Sequence, residues 1–304
     1  MNFKTFLTIT CTVLIISCSN VEQINEKNIH LHVKELSSDE YEGREPGTLG
    51  GELTKEYIKS SFESSGLEPV KDNFLLEVPL SKMEVNLNNS FLKFNQGKNE
   101  RTLLPGSETV FWSKRVKEEI EIKESDVLFI GYGIISPEYD WNDYEGIDVR
   151  GKTLIALIND PGFKTQDPNL FNGNAMTYYG RWVYRFEEAA RQGAEALIII
   201  HETEPASYPW KVVQNSWSGK QIDLKRPNLG MDRIKVEGWI TSEVAEELFT
   251  DAGLSLEQLK EDALTRSFRP MTLKGLKMNA KLSNNLSFSV SHNVGGIKVG
   301  SKSP

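Results

Sequence analysis

Arg181-Trp-Val-Tyr-Arg-Phe-Glu-Glu-Ala-Ala-Arg-Gln-Gly-Ala-Glu-Ala-Leu-Ile-Ile-Ile200 decides the fold. Between Arg181 and Gln192, the side chains of Trp182, Phe186 and Ala189 recur on one side of a helix, which stops at Gly193. Ala196 to Ile200 is then a continuous apolar run, the pattern of a buried strand. Upstream, Val127-Leu-Phe-Ile-Gly-Tyr-Gly and Thr153 to Ile158 have the same character. Strand, helix, strand in this order predicts an α/β element with a parallel pair.

The flanks carry weaker patterns. Ile29, Val33 and Leu36 share one helical face, and Tyr57, Ile58 and Phe62 share another between Glu52 and Ser65, with Gly66 placed to end that helix. Asp39-Glu-Tyr-Glu-Gly-Arg-Glu-Pro-Gly-Thr48 between them reads as a glycine- and proline-punctuated loop. Phe74 to Ile122 reads as strands broken by turns at Asn88-Asn89, Gln96-Gly97 and Pro105-Gly106. Later, a helix is expected from near Ser242 to Gly253. Another opens at Ser255-Leu-Glu-Gln, which has the form of a capping box. Beyond Arg269-Pro270, strand-like alternation returns in Ala280-Lys-Leu and Leu286 to Val290.

The 304 residues, 38% of them hydrophobic, suffice for one large or two medium domains with a real core. The formal charge of -8, with basic residues scattered among acids as in Ser113 to Lys123, argues against nucleic acid as a partner. Lys4 followed by the short apolar run Phe6 to Ile16 reads as an export leader over 1–17, too short to span a bilayer. Leu14-Ile-Ile-Ser-Cys18 resembles a bacterial lipobox, which implies cleavage before Cys18, a lipid on its thiol, and a membrane partner through that anchor outside the cytoplasm. Cys11 would leave with the leader, so no disulfide is expected.

Gly146-Ile-Asp-Val-Arg-Gly-Lys-Thr153 matches the phosphate-loop spacing letter for letter. A strand follows it where a helix N-terminus is required, so no nucleotide is expected and the segment reads as a turn into a core strand. Gly131-Tyr-Gly133 is a fragment of a dinucleotide fingerprint and reads as a strand ending in a turn. No Gly-x-Ser-x-Gly elbow occurs. The four histidines are His30, His32, His201 and His292; the first two, two apart in a helix, face different sides, and His201 ends a strand near a possible cleft. Two aromatic segments, Ala175 to Tyr184 and Tyr208 to Gly219, mix rings with amides, hydroxyls and a cation, which suits a peptide end. Arg181, Trp182, Asn215, Ser216 and Trp217 are the candidate substrate-cleft residues, the last three in a segment without helical or strand period.

Several stretches together resemble bacterial di-zinc aminopeptidases that carry an inserted protease-associated domain. They are the Asp39 to Thr48 loop, Ser64-Ser-Gly-Leu-Glu-Pro, Phe129-Ile-Gly-Tyr-Gly-Ile, Tyr139-Asp-Trp-Asn-Asp-Tyr, Asp148-Val-Arg-Gly-Lys-Thr, Asn159-Asp-Pro-Gly-Phe, Tyr179-Gly-Arg-Trp and Gln214-Asn-Ser-Trp-Ser-Gly. The resemblance covers nearly all of the chain after the leader. It implies an α/β fold in which a small mixed α/β protease-associated domain is inserted into an incomplete aminopeptidase-like α/β domain. The implied divisions are 1–17 leader, 18–125 N-terminal helical and strand segment, 126–275 protease-associated domain, and 276–304 the start of the catalytic domain.

The resemblance also implies two zinc ions that activate a water and a peptide substrate losing its N-terminal residues. The family's His-x-Asp, Glu-Glu and later ligands have no counterpart here, so no catalytic or metal residue is assigned and this chain alone is expected to be inert. Ser291-His-Asn-Val-Gly-Gly-Ile-Lys-Val resembles the first catalytic-domain strand, expected to lack sheet partners from Phe288 to Val299. Two rivals remain open at this point: a lipid-anchored binding module without chemistry, and a subtilisin-like peptidase carrying the same accessory domain.

Overall fold

The computed structural model describes residues 25–300. The expected leader at 1–17 and the expected lipid-bearing Cys18 therefore lie outside the described residues. The chain forms two compact units, one made of the residues up to Glu77 and those from Ser291, the other of Val78–Val290.

The first unit opens with α1 (Glu26–Leu36), started by Asn25, whose side chain accepts the Asn28 N–H at 2.9 Å. Its apolar face is where the periodicity puts it, yet the helix buries none of its residues. A tight turn over Asp39–Arg44 follows, with Tyr41 buried and Glu42, Gly43 and Arg44 all at positive φ. Helix α2 (Leu49–Ser64) is capped by Thr48 and closed by Gly66 at φ 68. The two-residue β1 (Glu68–Pro69) pairs antiparallel with Gly296–Ile297.

The second unit is built on a ten-stranded mixed sheet. The expected run of strands is present as β2 (Leu75–Val85), β3 (Phe91–Gln96), β4 (Asn99–Thr102), β5 (Thr109–Trp112) and β6 (Glu119–Phe129). A small ribbon, β7 (Ile135–Ser136) with β8 (Trp141–Asn142), leads to β9 (Thr153–Leu157) and the short α3 (Pro161–Thr165). The quoted stretch forms α4 (Trp182–Arg191) and β10 (Ala196–His201), with Gly193 at φ 81 between them. Then come α5 (Thr203–Ala206), α6 (Trp210–Trp217), β11 (Gln221–Leu224), β12 (Val236–Thr241), α7 (Ser242–Asp251), α8 (Leu256–Asp262) and β13 (Met271–Val294).

Across the sheet the order is β11, β2, β13, β6, β9, β10, β12, β5, with β3 paired to β13 and to β4 off this path. The four strands β6, β9, β10 and β12 run parallel, with Ile155 opposite Phe129 and Ile198, and Ile198 opposite Gly238. Alternate residues of such strands go to opposite faces. Ile155, Leu157, Ile198 and Ile200 join Val244, Leu248 and Phe249 of α7 in one core layer. Leu154, Ala156, Leu197 and Ile199 meet Phe186 and Ala189 of α4 in the other. The fold is thus α/β, as the helix and strand patterns predict.

Strand β12 has no clear signal in the sequence, because Glu237 and Gly238 interrupt its apolar run. Glu237 is fully buried and accepts the Trp112 Nε1–H at 3.0 Å, with the Arg233 guanidinium 3.5 Å away. Gly238 is required by β5, since a Cβ there would stand 2.9 Å from the Val110 carbonyl oxygen. The expectation that Phe288 onward lacks partners is corrected: β13 pairs with β2, the Gly295 N–H reaches the Phe74 carbonyl at 2.8 Å, and Gly296–Ile297 pairs with β1. Those partners lie some two hundred residues earlier, where a local pattern gives no notice of them. Thr153 of the loop-like motif opens β9, and Asp148 accepts from Arg150 at the turn before it. Strands from both flanks of 126–275 join the sheet of this unit.

Candidate substrate cleft

After β9 the chain turns sharply at Asn159, a non-glycine residue held at φ 68. Its side chain donates to the Pro205 carbonyl at 2.8 Å and accepts the Asp160 N–H at 2.8 Å. Asp160 is fully buried; the Thr177 hydroxyl and N–H donate to its Oδ2 at 2.7 and 3.1 Å. Its Oδ1 faces the Gly162 N–H without closing a hydrogen bond of full geometry. Burial raises the Asp160 carboxyl above its ordinary value, against the hydrogen bonds from Thr177.

Arg185, from α4, is the hub of this region and is 0% exposed. Its Nε donates to the Leu157 carbonyl at 2.7 Å, Nη1 to those of Gly180, Arg181 and Tyr179 at 2.9, 3.1 and 3.2 Å, and Nη2 to that of Asn159. One guanidinium thus joins the end of β9 to the entry of α4. Burial lowers its pKa to about 10, which leaves it charged at neutral pH. Beside it, the Tyr184 hydroxyl donates to the Ile135 carbonyl at 2.9 Å and accepts the Ile135 N–H at 3.1 Å, fastening β7 to α4.

Asp143 anchors the same ribbon, accepting the Ile134 N–H at 3.0 Å and the Trp141 Nε1–H at 2.8 Å. Burial pushes its carboxyl up from 3.8 to about 7. A folded-state pKa above the unfolded one means that the folded chain holds more protons between those values, so stability falls as pH rises through that window. The share from Asp143 is whole below its unfolded pKa and is lost above about 7. At 1.36 kcal/mol per unit it amounts to up to about 4 kcal/mol. Buried Asp160 and Glu237, both raised, act in the same sense. Urea midpoints should therefore decline between pH 4.5 and 7.5, and Asp143→Asn should flatten that decline. An unchanged slope in the variant would exclude Asp143 as its source.

At the entry of α4 lies a cleft of about 420 Å³, lined by Ile158, Met176, Arg181, Trp182, Val183 and Tyr208 among others. Arg181 is the N-cap of α4 and is exposed, so its guanidinium is available at the rim. Trp182 stands edge-on to Trp217 with ring centroids 5.0 Å apart, and Trp217 stacks on buried Trp112 at 3.9 Å. His201, at the end of β10, is buried and hydrogen bonds through Nε2 with the Tyr208 carbonyl at 3.0 Å. It holds Tyr208 at the cleft rather than entering it, and burial lowers its pKa.

The structure brings Arg181 and Trp182 into one cleft and sets Trp217 against Trp182. Asn215 and Ser216 are exposed and do not line it. The segment holding all three is helical, in α6, where the sequence shows no period. Two turns that bury only Val213 leave too little repetition to read. The sequence gives no sign of Arg185 and Tyr184 as hydrogen-bonding anchors, because acceptors such as Leu157 and Ile135 lie far from them along the chain.

Among the described residues, no three His, Cys, Asp or Glu side chains are grouped to hold a metal ion. His32 hydrogen bonds through Nδ1 with the Tyr57 hydroxyl at 2.7 Å. Among the described residues no helix is long and apolar enough to cross a membrane.

No family model matches the chain, and no curated protein matches it. Among solved structures, an aminopeptidase from Aneurinibacillus sp. strain AM-1 is similar at 15% identity, over 88% of this chain and 46% of that one, with a TM-score of 0.41. The chain thus spans about half the length of that structure.

Proposed function

We propose that this chain is the N-terminal, peptide-holding part of an exported, lipid-anchored zinc-dependent aminopeptidase, which removes N-terminal residues from peptides. In this reading residues 126–275 are the protease-associated domain, Cys18 carries the lipid, and both zinc ions belong to the catalytic domain. The observation that carries the reading is the convergence on Arg185. The segments around Asn159, Tyr179 and Arg181, among those on which the family resemblance rests, are joined by that one side chain, and Arg181 and Trp182 line an aromatic cleft. Apolar walls with a few placed polar groups suit a peptide, the rings taking a side chain and Arg181 a backbone carbonyl or carboxylate.

Tryptophan fluorescence should report saturable binding of Leu-Gly-Gly to the chain without added zinc. Trp182→Ala should weaken it about tenfold, the size of losing one aromatic contact in a small cleft. Absence of saturation, or unaltered binding by the variant, would remove the cleft from the reading. Zinc-dependent hydrolysis of leucine p-nitroanilide by this chain would overturn the placement of the chemistry elsewhere.

A further inference from the structure

A second cavity, of about 310 Å³, opens beyond the C-terminal ends of β9 and β10, among α3, α5 and α8. Crevices at the carboxyl ends of parallel strands are where open α/β sheets take ligands. Leu157, Phe163 and Leu264 give it apolar wall, while Glu202, Glu204, Glu257 and Glu261 give it carboxylates. Lys260 is engaged by Glu202 at 2.5 Å and by Glu257 at 3.8 Å. Glu204, Glu261 and Lys164 complete its charged lining.

Independent of these acids is Tyr132, which also lines the cavity and is 7% exposed. No hydrogen bond holds its hydroxyl, and that oxygen is not among the fully enclosed polar atoms lacking a partner. It is thus not wholly enclosed, and the residue lines the cavity. Burial and the nearby Glu202 carboxylate raise its pKa, so it stays a neutral phenol able to accept or donate. A nine-tenths buried phenol whose hydroxyl has no hydrogen-bond partner marks a place made for a polar group.

We infer that this cavity receives an alkylammonium group on an unbranched stem, the chemistry of a lysine side chain or of a free diamine. The ammonium has three donors and no acceptor, and here it finds the Tyr132 oxygen and the carboxylates of Glu204 and Glu261. The methylene stem lies along Leu157 and Leu264, which separates this ligand from a compact cation. A bare metal ion is disfavoured by geometry, since the acids are not clustered as three ligands around one point. This inference goes beyond the aminopeptidase reading and does not depend on the aromatic cleft.

Calorimetric titration of the whole chain at low salt tests it, with N-acetyl-lysine methylamide, its norleucine counterpart and cadaverine as probes. The lysine compound should saturate, and the norleucine compound should bind at least about tenfold more weakly for want of the charge. Tyr132→Phe and the double variant Glu204→Gln with Glu261→Gln should each weaken the lysine compound about fivefold, the size of a partly screened ion pair or one hydrogen bond. Tighter binding of the lysine compound than of cadaverine assigns a peptide side chain; the reverse assigns a free diamine. Equal binding of the lysine and norleucine compounds, no saturation by any probe, or wild-type affinity in both variants overturns the inference.

Discussion

Arg185→Met is expected to lower the stability of the unit Val78–Val290 by about 3–5 kcal/mol, the range for removing one member of a buried charged network. Methionine fills much of the space and adapts to irregular gaps, so the loss would come from hydrogen bonding and not from a void. Five backbone carbonyls, of Leu157, Asn159, Tyr179, Gly180 and Arg181, lose their shared donor, three of them in fully buried bonds. Those of Asn159, Tyr179 and Gly180 lie outside strand and helix, where no ladder can take over. For a unit of this size the melting temperature should fall by roughly 10 °C. Arg185→Lys should fall between, since an ammonium keeps the charge but cannot reach acceptors on all sides of a planar fork. A loss below about 1 kcal/mol in Arg185→Met would mean that water or a shifted side chain satisfies these carbonyls, and that Arg185 is not the hub.

Arg185 lies beyond what a local sequence pattern can reveal. The stretch from Arg181 to Ile200 gave both its helix and its strand because periodicity is a local property, written within ten residues of itself. Within that helix, however, Arg185 lies among Tyr184, Phe186, Glu188 and Ala189, all buried, and nothing local separates a buried arginine from an exposed one. Its role depends on carbonyls at Leu157 and Asn159, nearly thirty residues away. Likewise β12 carries a buried carboxylate whose partners are Trp112 and Arg233, one of them on a distant strand. The aromatic cleft was half readable: Arg181, Trp182 and Trp217 stood out by residue type, but only the fold sets two tryptophans 5.0 Å apart and leaves Asn215 and Ser216 outside. The carboxylate-lined cavity was not readable at all, since Tyr132, Glu204 and Glu261 come from three separate parts of the chain.

Gly50→Ala should unfold the α2 region of the first unit while leaving the strands of the second intact. In the first turn of α2 a Cβ at position 50 would lie 1.9 Å from the Tyr41 carbonyl oxygen and 2.5 Å from its carbon, well inside contact distance. At Gly51 the same atom would lie 2.4 Å from the Glu45 carbonyl oxygen. Two adjacent glycines cost a helix roughly 2 kcal/mol relative to alanine, so they persist here because the Asp39 to Glu45 turn must pass this closely. Opening that crossing would displace Tyr41, which donates to Glu35 at 3.0 Å and packs edge-on to Tyr57. The obstacle is backbone, which cannot rotate aside as a side chain would, so the cost should reach about 3 kcal/mol or more. Gly43 in the same turn makes the contrast: a Cβ there meets nothing within 4 Å, and only its φ of 75 opposes a side chain. Gly43→Ala should therefore cost about 1 kcal/mol, the price of a left-handed alanine alone. Hydrogen exchange resolves the two, with residues 39–64 losing protection in Gly50→Ala and largely keeping it in Gly43→Ala, while β9 and β10 stay protected in both. Equal exchange in the two variants would mean that conformational strain, and not the close crossing, is what fixes glycine in this turn.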